Sequence, residues 1–401
     1  MSIAFMDDVI GVLLGAGKSQ RLLPLTAEDS KLVIFICGKW KTMDFPLSNM
    51  RNAGIRKIIV TVQTNSKGVI DHTSRAYPSV PGEFTLEVIP PQLREDGDWY
   101  LGNAHGVYRN LDILRDPRFA YVAIFAGDQV FKMDVRGMKE FHLEKRSDFT
   151  ILAKIVPVAK ARKRFGVLEV DDEGRVMGME EKPDKPKELP WKKGYCLISL
   201  GDYFAGISGL AKILHEDESD PESNHDFAKN IIPRLIAAKH RVYAYDIALN
   251  AVAKSTGLVW EDIGTILDYW KINMRFKPLM RNFFGDEWPI RNLSANLKPT
   301  LHEGTVRDAL ICEDCRIRGS VLHSVISHGV HIARGARVRD SVLFPDVSVG
   351  KGVRIRNAIV ARGVRIPARV RTIGYSPVRD RRNGFSVIDG ITVVSSDSFR
   401  K

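Results

Sequence analysis

The sequence predicts an α/β domain built on a mostly parallel sheet, followed by a C-terminal left-handed parallel β-helix. Three observations carry this. Up to about Arg281, short apolar runs alternate with helical patterns, as a sheet covered by helices requires. The first such run, Val9 to Leu14, ends in the glycine-rich bend GAGKSQR. Beyond Trp288 to Pro299 the grammar changes, and aliphatic or small residues recur about every six positions.

Taken in order, strands are expected at Val9 to Leu14, Lys57 to Val62, Tyr121 to Ala126 and Phe149 to Val156. Between the first two, PLSNMRNAG places Pro46 in a first helical turn and Gly54 at its stop. FGVLEVDDEGRVMGMEEKP reads as a hairpin beside the main sheet, with its turn at Asp172 to Gly174. From Ile311 the six-residue period runs through Val330, Ala336, Val342, Val347, Val353, Ile359, Val364 and Val370, with slips of one residue. Strict alternation would mark an ordinary strand, whereas this period with interspersed glycines fits short strands that each point one residue inward and turn. An irregular sandwich is the competing reading. The expected division is a first domain over 1–287, a linker over 288–300 and the solenoid over 301–401.

Composition excludes several classes. With 401 residues and 44% hydrophobic content the chain buries a full core. It has no transmembrane run, and the N-terminus puts two aspartates where a signal peptide needs basic residues. Four scattered cysteines make no disulfide framework and suit a reducing cytoplasm. Cys312 and Cys315 form a lone CxxC, a weak metal signal without a second pair. Of the net charge of +12, a surplus of 9 lies after Leu301, from 18 Lys+Arg against 9 Asp+Glu. Those arginines lack interleaved aromatics and match no nucleic-acid signature, so a solvated basic face or a phosphorylated small ligand fits better.

The bend after the first strand has the layout of a phosphate-handling loop. Gly15 and Gly17 let the backbone turn its N–H groups toward an anion, and Arg21 and Lys31 supply positive charge. GKS is not a P-loop, because GxxxxGK[ST] needs glycine where Val12 stands and Pro24 interrupts the helix that should follow. A purely structural glycine turn is the alternative.

The motif series RLLPLT, GKWKTMDFPLSNMRNAGIRKI, WYLGNAHGVYRNL, FAGDQVFKMD, EEKP, SNHDFAKNIIP and WEDIGTILDYWKINM resembles the sugar-nucleotide pyrophosphorylases over nearly the whole chain. The resemblance implies a Rossmann-like nucleotidyltransferase domain in which glucose 1-phosphate attacks the α-phosphorus of ATP and pyrophosphate leaves, serving glycogen or a related α-glucan. Such a nucleophile is already anionic, so the site needs charge neutralisation and in-line positioning more than a general base.

The family's motifs make Arg21, Lys31 and Asp128 the expected catalytic residues, with Asp128 and Asp262 holding Mg²⁺. Gly15, Gly17, Gln92 and the backbone near Gly102 fall where the family holds the nucleotide. Tyr100, Gly166, Glu181, Lys182 and Ser199 match its glucose 1-phosphate positions, and Asp226 falls in a further motif. Bland readings stand beside these: Asp128 as a helix cap, Glu181 and Lys182 as a solvated strand end, Asn224 to Asp226 as a cap. The resemblance also implies a homotetramer, or a hetero-oligomer with a homologous subunit.

Departures from the family pattern cluster at the loop, where Ala16, Ser19 and Gln20 replace two glycines and a threonine. Asp29 and Phe35 stand where several bacterial members carry an effector-binding arginine and histidine, which predicts weak or altered effector control, with Lys41, Arg381 and Arg382 as a different anion site. Asn103-Ala104-His105 departs from the family's TAD near the base. Two other functions compete: a catalytically weak regulatory homologue that assembles with an active subunit, and a hexapeptide-repeat acyltransferase.

Overall fold

The structure, a computed structural model, describes residues 3–15, 20–91, 99–283, 287–292 and 298–399. Nine strands form one sheet: β1 (Val9–Gly15), β2 (Lys57–Val62), β3 (Thr85–Ile89), β4 (Tyr121–Ala126), β5 (Phe149–Pro157), β6 (Gly166–Val170), β7 (Val176–Glu181), β8 (Tyr195–Gly206) and β9 (Val242–Asp246). Their order is β7-β6-β8-β4-β1-β2-β3, with β5 pairing both β8 and β9. The β4-β1-β2-β3 half is parallel, and β8 runs antiparallel against β4, β5 and β6.

β1 is buried at every position because both sheet faces are covered, which is why it reads as a continuous apolar run. Its alternate side chains feed two cores: Val9 and Leu13 join Ile58 and Phe125 on one face, while Ile10 and Val12 join Ile59 and Ile124 on the other. The helix between β1 and β2 spans Asp44–Ala53, and Gly54 ends it at φ 100°, a left-handed cap that glycine adopts without a Cβ penalty. The expected hairpin is present as β6 and β7. It stands in the main sheet itself, since Leu168 and Val167 pair with Leu197 and Ile198 of β8.

The C-terminal part is a three-faced hexapeptide solenoid. Short strands stack in parallel in three separate sheets, five strands deep on two faces. One residue of each strand points inward, as in the column Val321, Val338, Ile355 and Ile373, and these side chains form one core. The stacking starts at Leu301–His302, ahead of the six-residue signal at Ile311; in this first coil Leu301 and His302 are exposed, and Val306, in register with Val321, is only partly buried at the end of the core. The third face is widened by Ser386–Ile388 and Ile391–Val394.

That third face is covered by the first domain. Val325, Val342, Phe344 and Ile359 share a core with Phe35, Ile266 and Tyr269. Polar contacts fix the docking, with the Tyr269 hydroxyl donating to the Phe35 carbonyl at 2.5 Å and the Trp270 indole to the Asp340 carbonyl at 2.9 Å.

Candidate active site

The C-terminal ends of parallel β1 and β4 face one cleft, where an open α/β sheet places its ligands. The turn after β4 carries Gly127 and Asp128, and the Gly127 N–H donates to the Leu14 carbonyl at 3.0 Å. A Cβ on Gly127 would lie 2.2 Å from a Leu32 methyl, so glycine lets this turn close onto the segment that carries Lys31 without displacing Leu32. That segment is a single turn, Lys31–Val33, capped by the Ser30 hydroxyl. Lys31 Nζ donates to Asp128 Oδ2 at 2.6 Å, a largely buried ion pair.

The second carboxylate arrives on a short strand, Trp260–Asp262, paired antiparallel with Gln129–Phe131 so that Asp262 lies opposite Gln129. The Ile263 N–H donates to the Asp128 carbonyl at 3.3 Å, fixing the two acids side by side. Burial and the neighbouring Asp128 charge push the Asp262 carboxyl up to about 6, while Lys31 and Arg21 pull the other way. Arg21 meets this carboxylate across Gly264: a Cβ there would lie 2.9 Å from Asp262 Oδ2 and 3.7 Å from the guanidinium. Arg21, Lys31, Asp128 and Asp262 therefore converge on one cleft.

Two carboxylates with facing cations suit a hard divalent ion that completes its shell with substrate phosphates and water. Among the described residues no group of three or more His, Cys, Asp or Glu forms a closed cage. The residues present thus fit Mg²⁺ shared with a ligand.

Around the neighbouring hairpin a second set gathers. Gly166 leaves the space that Glu181 enters, since a Cβ there would lie 2.9 Å from Glu181 Oε2. Lys182 adopts φ 52°, a left-handed conformation uncommon outside glycine, and its Nζ meets Glu181 Oε1 at 2.5 Å. Ser199 follows Ile198, the partner of Val167, which puts it beside Gly166. Tyr203 lies close by: burial raises its hydroxyl pKa, and Asp226, Asp202 and Glu181 add to the effect.

Other expected residues have different surroundings. Gly15 is the last residue of β1, not a bend; a Cβ there would lie 2.6 Å from the Thr61 carbonyl and 2.5 Å from Leu32, so its contribution is close approach. Gly17 and Gln92 lie outside the described residues. Gly102 is extended at φ −152° and docks on the distant loop before Phe227–Ile231, where a Cβ would lie 2.2 Å from the His225 carbonyl. The Tyr100 hydroxyl donates to the Ile89 carbonyl at 3.5 Å. Asp226 caps the following helix by accepting from the Ala228 and Lys229 N–H groups, as its bland reading expected.

Sequence reasoning missed two parts of the support. The Gln129 side chain donates to the Leu200 carbonyl and accepts from the Trp260 indole at 2.8 Å, tying β8 to the Asp262 strand. Asp202 is fully buried behind Asp128. Its Oδ1 accepts from the Ala126 N–H at 2.8 Å, its Oδ2 has no partner among the described residues, and burial holds the carboxyl well above the usual range. An acid inside the apolar run of LISLGDYFAG was the available signal.

The expected anion site is also rearranged. Lys41 donates to the Val33 carbonyl at 2.8 Å and lies 3.1 Å over the Phe35 ring, on a cavity where it, Lys39, Arg75 and Arg362 stand with four carboxylates: Asp29, Asp71, Glu313 and Asp346. Arg381 and Arg382 do not line it; they sit on the separate helix Pro377–Arg382.

With this geometry in hand, comparison with known proteins is decisive. A family model described as nucleotidyl transferase matches residues 10–277, and one described as GlmU-like C-terminal hexapeptide matches 296–394. The glucose-1-phosphate adenylyltransferases of Shewanella sp. (strain ANA-3) and Shewanella oneidensis are each 36% identical to it, over 97% of this chain and 95% of theirs. That of Nitrosomonas europaea is 34% identical over 97% and 93%. This chain belongs to the glucose-1-phosphate adenylyltransferase family. Within that family the cleft just described lies in the nucleotidyl transferase part, and the solenoid is the hexapeptide part.

Proposed function

We propose that this chain transfers the adenylyl group of ATP to glucose 1-phosphate, giving ADP-glucose for α-glucan synthesis and releasing pyrophosphate. The observation that carries the reading is the convergence of Arg21, Lys31, Asp128 and Asp262 on one cleft at the ends of β1 and β4. In the step, a phosphate oxygen of the sugar phosphate forms a bond to the α-phosphorus while the bond to the bridging oxygen of pyrophosphate breaks. Both reactants are anions, so the cost to be overcome is repulsion and misalignment.

Arg21 and Lys31 neutralise the triphosphate. Lys31 has Asp128 as its partner before substrate arrives, which holds its ammonium at the cleft. Asp128 and Asp262 would hold Mg²⁺, which when bound supplies charge to the phosphate oxygens and orients them. Glu181 would accept sugar hydroxyl hydrogen bonds and Lys182 would face the sugar phosphate, with Gly166, Ser199 and Tyr100 around the hexose. Gly15, Gly17, Gln92 and Gly102 form the proposed nucleotide side.

The domain limits 1–287, 288–300 and 301–401 are part of this reading, supported by the separate reach of the two family matches. So are a homo-oligomeric assembly, tetrameric by analogy, and a cytoplasmic location, with which four free, buried cysteines agree.

Pyrophosphate release by the purified chain alone, with ATP, glucose 1-phosphate and Mg²⁺, tests the proposal. Turnover should be lost in Asp128→Ala with the fold retained. An inert chain that accelerates an active homologous subunit would establish the regulatory role instead. Exchanging ATP for UTP, GTP or dTTP reads the base preference.

A further inference from the structure

Outside the catalytic cleft a cavity of about 750 Å³ opens between the end of β5, the strand Trp260–Asp262, the helix Ile266–Met274 and His323 of the solenoid. It lies on the far side of the sheet from the proposed sugar set. Ser199 pairs with Ala153, whereas Lys154, the next residue of β5, pairs with Ile198 and projects from the opposite face.

Five cationic side chains line this cavity, against three carboxylates. Two of the cations are neutralised locally: Arg164 meets Asp268 at 3.1 Å and Arg275 meets Glu261 at 2.6 Å. The third carboxylate, Asp262, feels Lys31 and Arg21 in the catalytic cleft. Lys154, Lys160 and Lys271 remain, with no ion pair among the described residues.

Lys154 is partly buried, and among the described residues its ammonium meets the Leu258 carbonyl at 3.5 Å and the Trp260 ring at 5.7 Å. Glu261 and Asp246 act on it from beyond ion-pair distance, and burial pulls its pKa down. Lys160 and Arg275 act on the Lys154 ammonium as like charges, Lys271 lines the same recess, and an oxyanion there offsets that repulsion. The same recess presents Trp270, whose indole N–H is engaged by the Asp340 carbonyl, which fixes the ring in place.

We propose that this cavity binds a phosphate-bearing small molecule, with the phosphoryl group among Lys154, Lys160 and Lys271 and the rest of the ligand against Trp270. The site is separate from the catalytic cleft and shares with it only the strand that ends in Asp262, so the inference does not rest on the reaction proposed above.

Calorimetric titration of the full chain with inorganic phosphate and with phenyl phosphate, in metal-free buffer, tests it. Lys160 and Lys271 are exposed, so a Lys160→Glu/Lys271→Glu variant should fold and keep basal turnover. Saturable binding, at least about tenfold weaker in that variant and unchanged in Lys31→Met, is the expected result. Phenyl phosphate should bind more tightly than inorganic phosphate, and Trp270→Ala should remove that difference. The proposal is overturned by absence of saturable binding, by equal binding to the double variant, by loss of binding in Lys31→Met, or by no preference for phenyl phosphate.

Discussion

Replacing Lys31 by methionine keeps the aliphatic stem and removes one charge from the cleft. Lys31 Nζ stands 2.6 Å from Asp128 Oδ2, with the two side chains only 17% and 19% exposed. At an effective dielectric of about 20, the Coulomb attraction at that distance is about 6 kcal/mol before the desolvation of either group is subtracted. Loss of one donor aimed at charge in the transition state costs about 3 to 4 kcal/mol, which is about a hundredfold to a thousandfold in kcat.

A second readout separates this from a general loss of packing. Lys31 is one of two cations that hold the Asp262 carboxyl down against burial and Asp128, at about 6. Removing it raises that value, so more of the carboxyl is protonated at a given pH, and the acid limb of activity moves to higher pH. Pyrophosphate release measured from about pH 5 to about pH 9, alongside a urea midpoint, checks both. Activity within about fivefold of the parent, or an unmoved acid limb, would refute the assignment of Lys31 to the cleft's charge balance.

Gly102→Ala should lower the melting temperature by a few degrees, because its Cβ would lie 2.2 Å from the His225 carbonyl and overpacking costs about 1 to 3 kcal/mol. Differential scanning calorimetry reads it. Burial holds the His142 imidazole down at about 4 from an ordinary 6.5. The unfolded chain therefore takes up this proton first, so the contribution of neutral His142 is full above about pH 6.5 and is lost toward about pH 4, by up to about 3 kcal/mol. Urea midpoints across that window should fall less steeply in His142→Gln. Burial pushes the Cys315 and Cys196 thiols up to about 11 and Cys312 to about 12, so native protein at about pH 8 should react slowly with a thiol reagent and release four equivalents only once unfolded.

Much of the fold was legible because its signals are local. A strand buried on both faces must be apolar throughout, and β1 declares itself in VIGVLL. A solenoid coil must send aliphatic side chains inward, and the six-residue period follows at Val330, Ala336, Val347, Val353 and Val364, while Val342 and Ile359 of the same series pack against the first domain. The first coil follows that rule at Val306 alone, which is only partly buried, so the period becomes regular only later. Likewise the hairpin's turn was readable from DDEG, while its membership of the main sheet depended on the Leu168 to Leu197 pairing, which no local pattern encodes.

At the candidate site, the residue types were readable from the motif series, and their surroundings were not. Gly15 looked like a conformational hinge and Gly102 like backbone on the nucleotide side, yet neither has a positive φ; what each supplies is the absence of a Cβ beside a carbonyl from a distant segment. Arg381 and Arg382 were grouped with Lys41 on charge alone, but the solenoid coil brings Arg362 to that cavity instead.

The sequence by itself determined where the strands run, where the repeat begins to be regular and which side chains carry charge, since periodicity and charge are properties of neighbouring residues. Only the tertiary structure decided which charges meet. Asp128 and Asp262 are far apart in the chain and become neighbours through one antiparallel register, Asp262 opposite Gln129. Lys154 and Lys271, far apart in the chain, line one recess from a strand of the main sheet and from the helix Ile266–Met274. Electrostatic energy falls with distance in space and not along the chain, so the chemistry of this protein is set at contacts that composition and spacing do not contain.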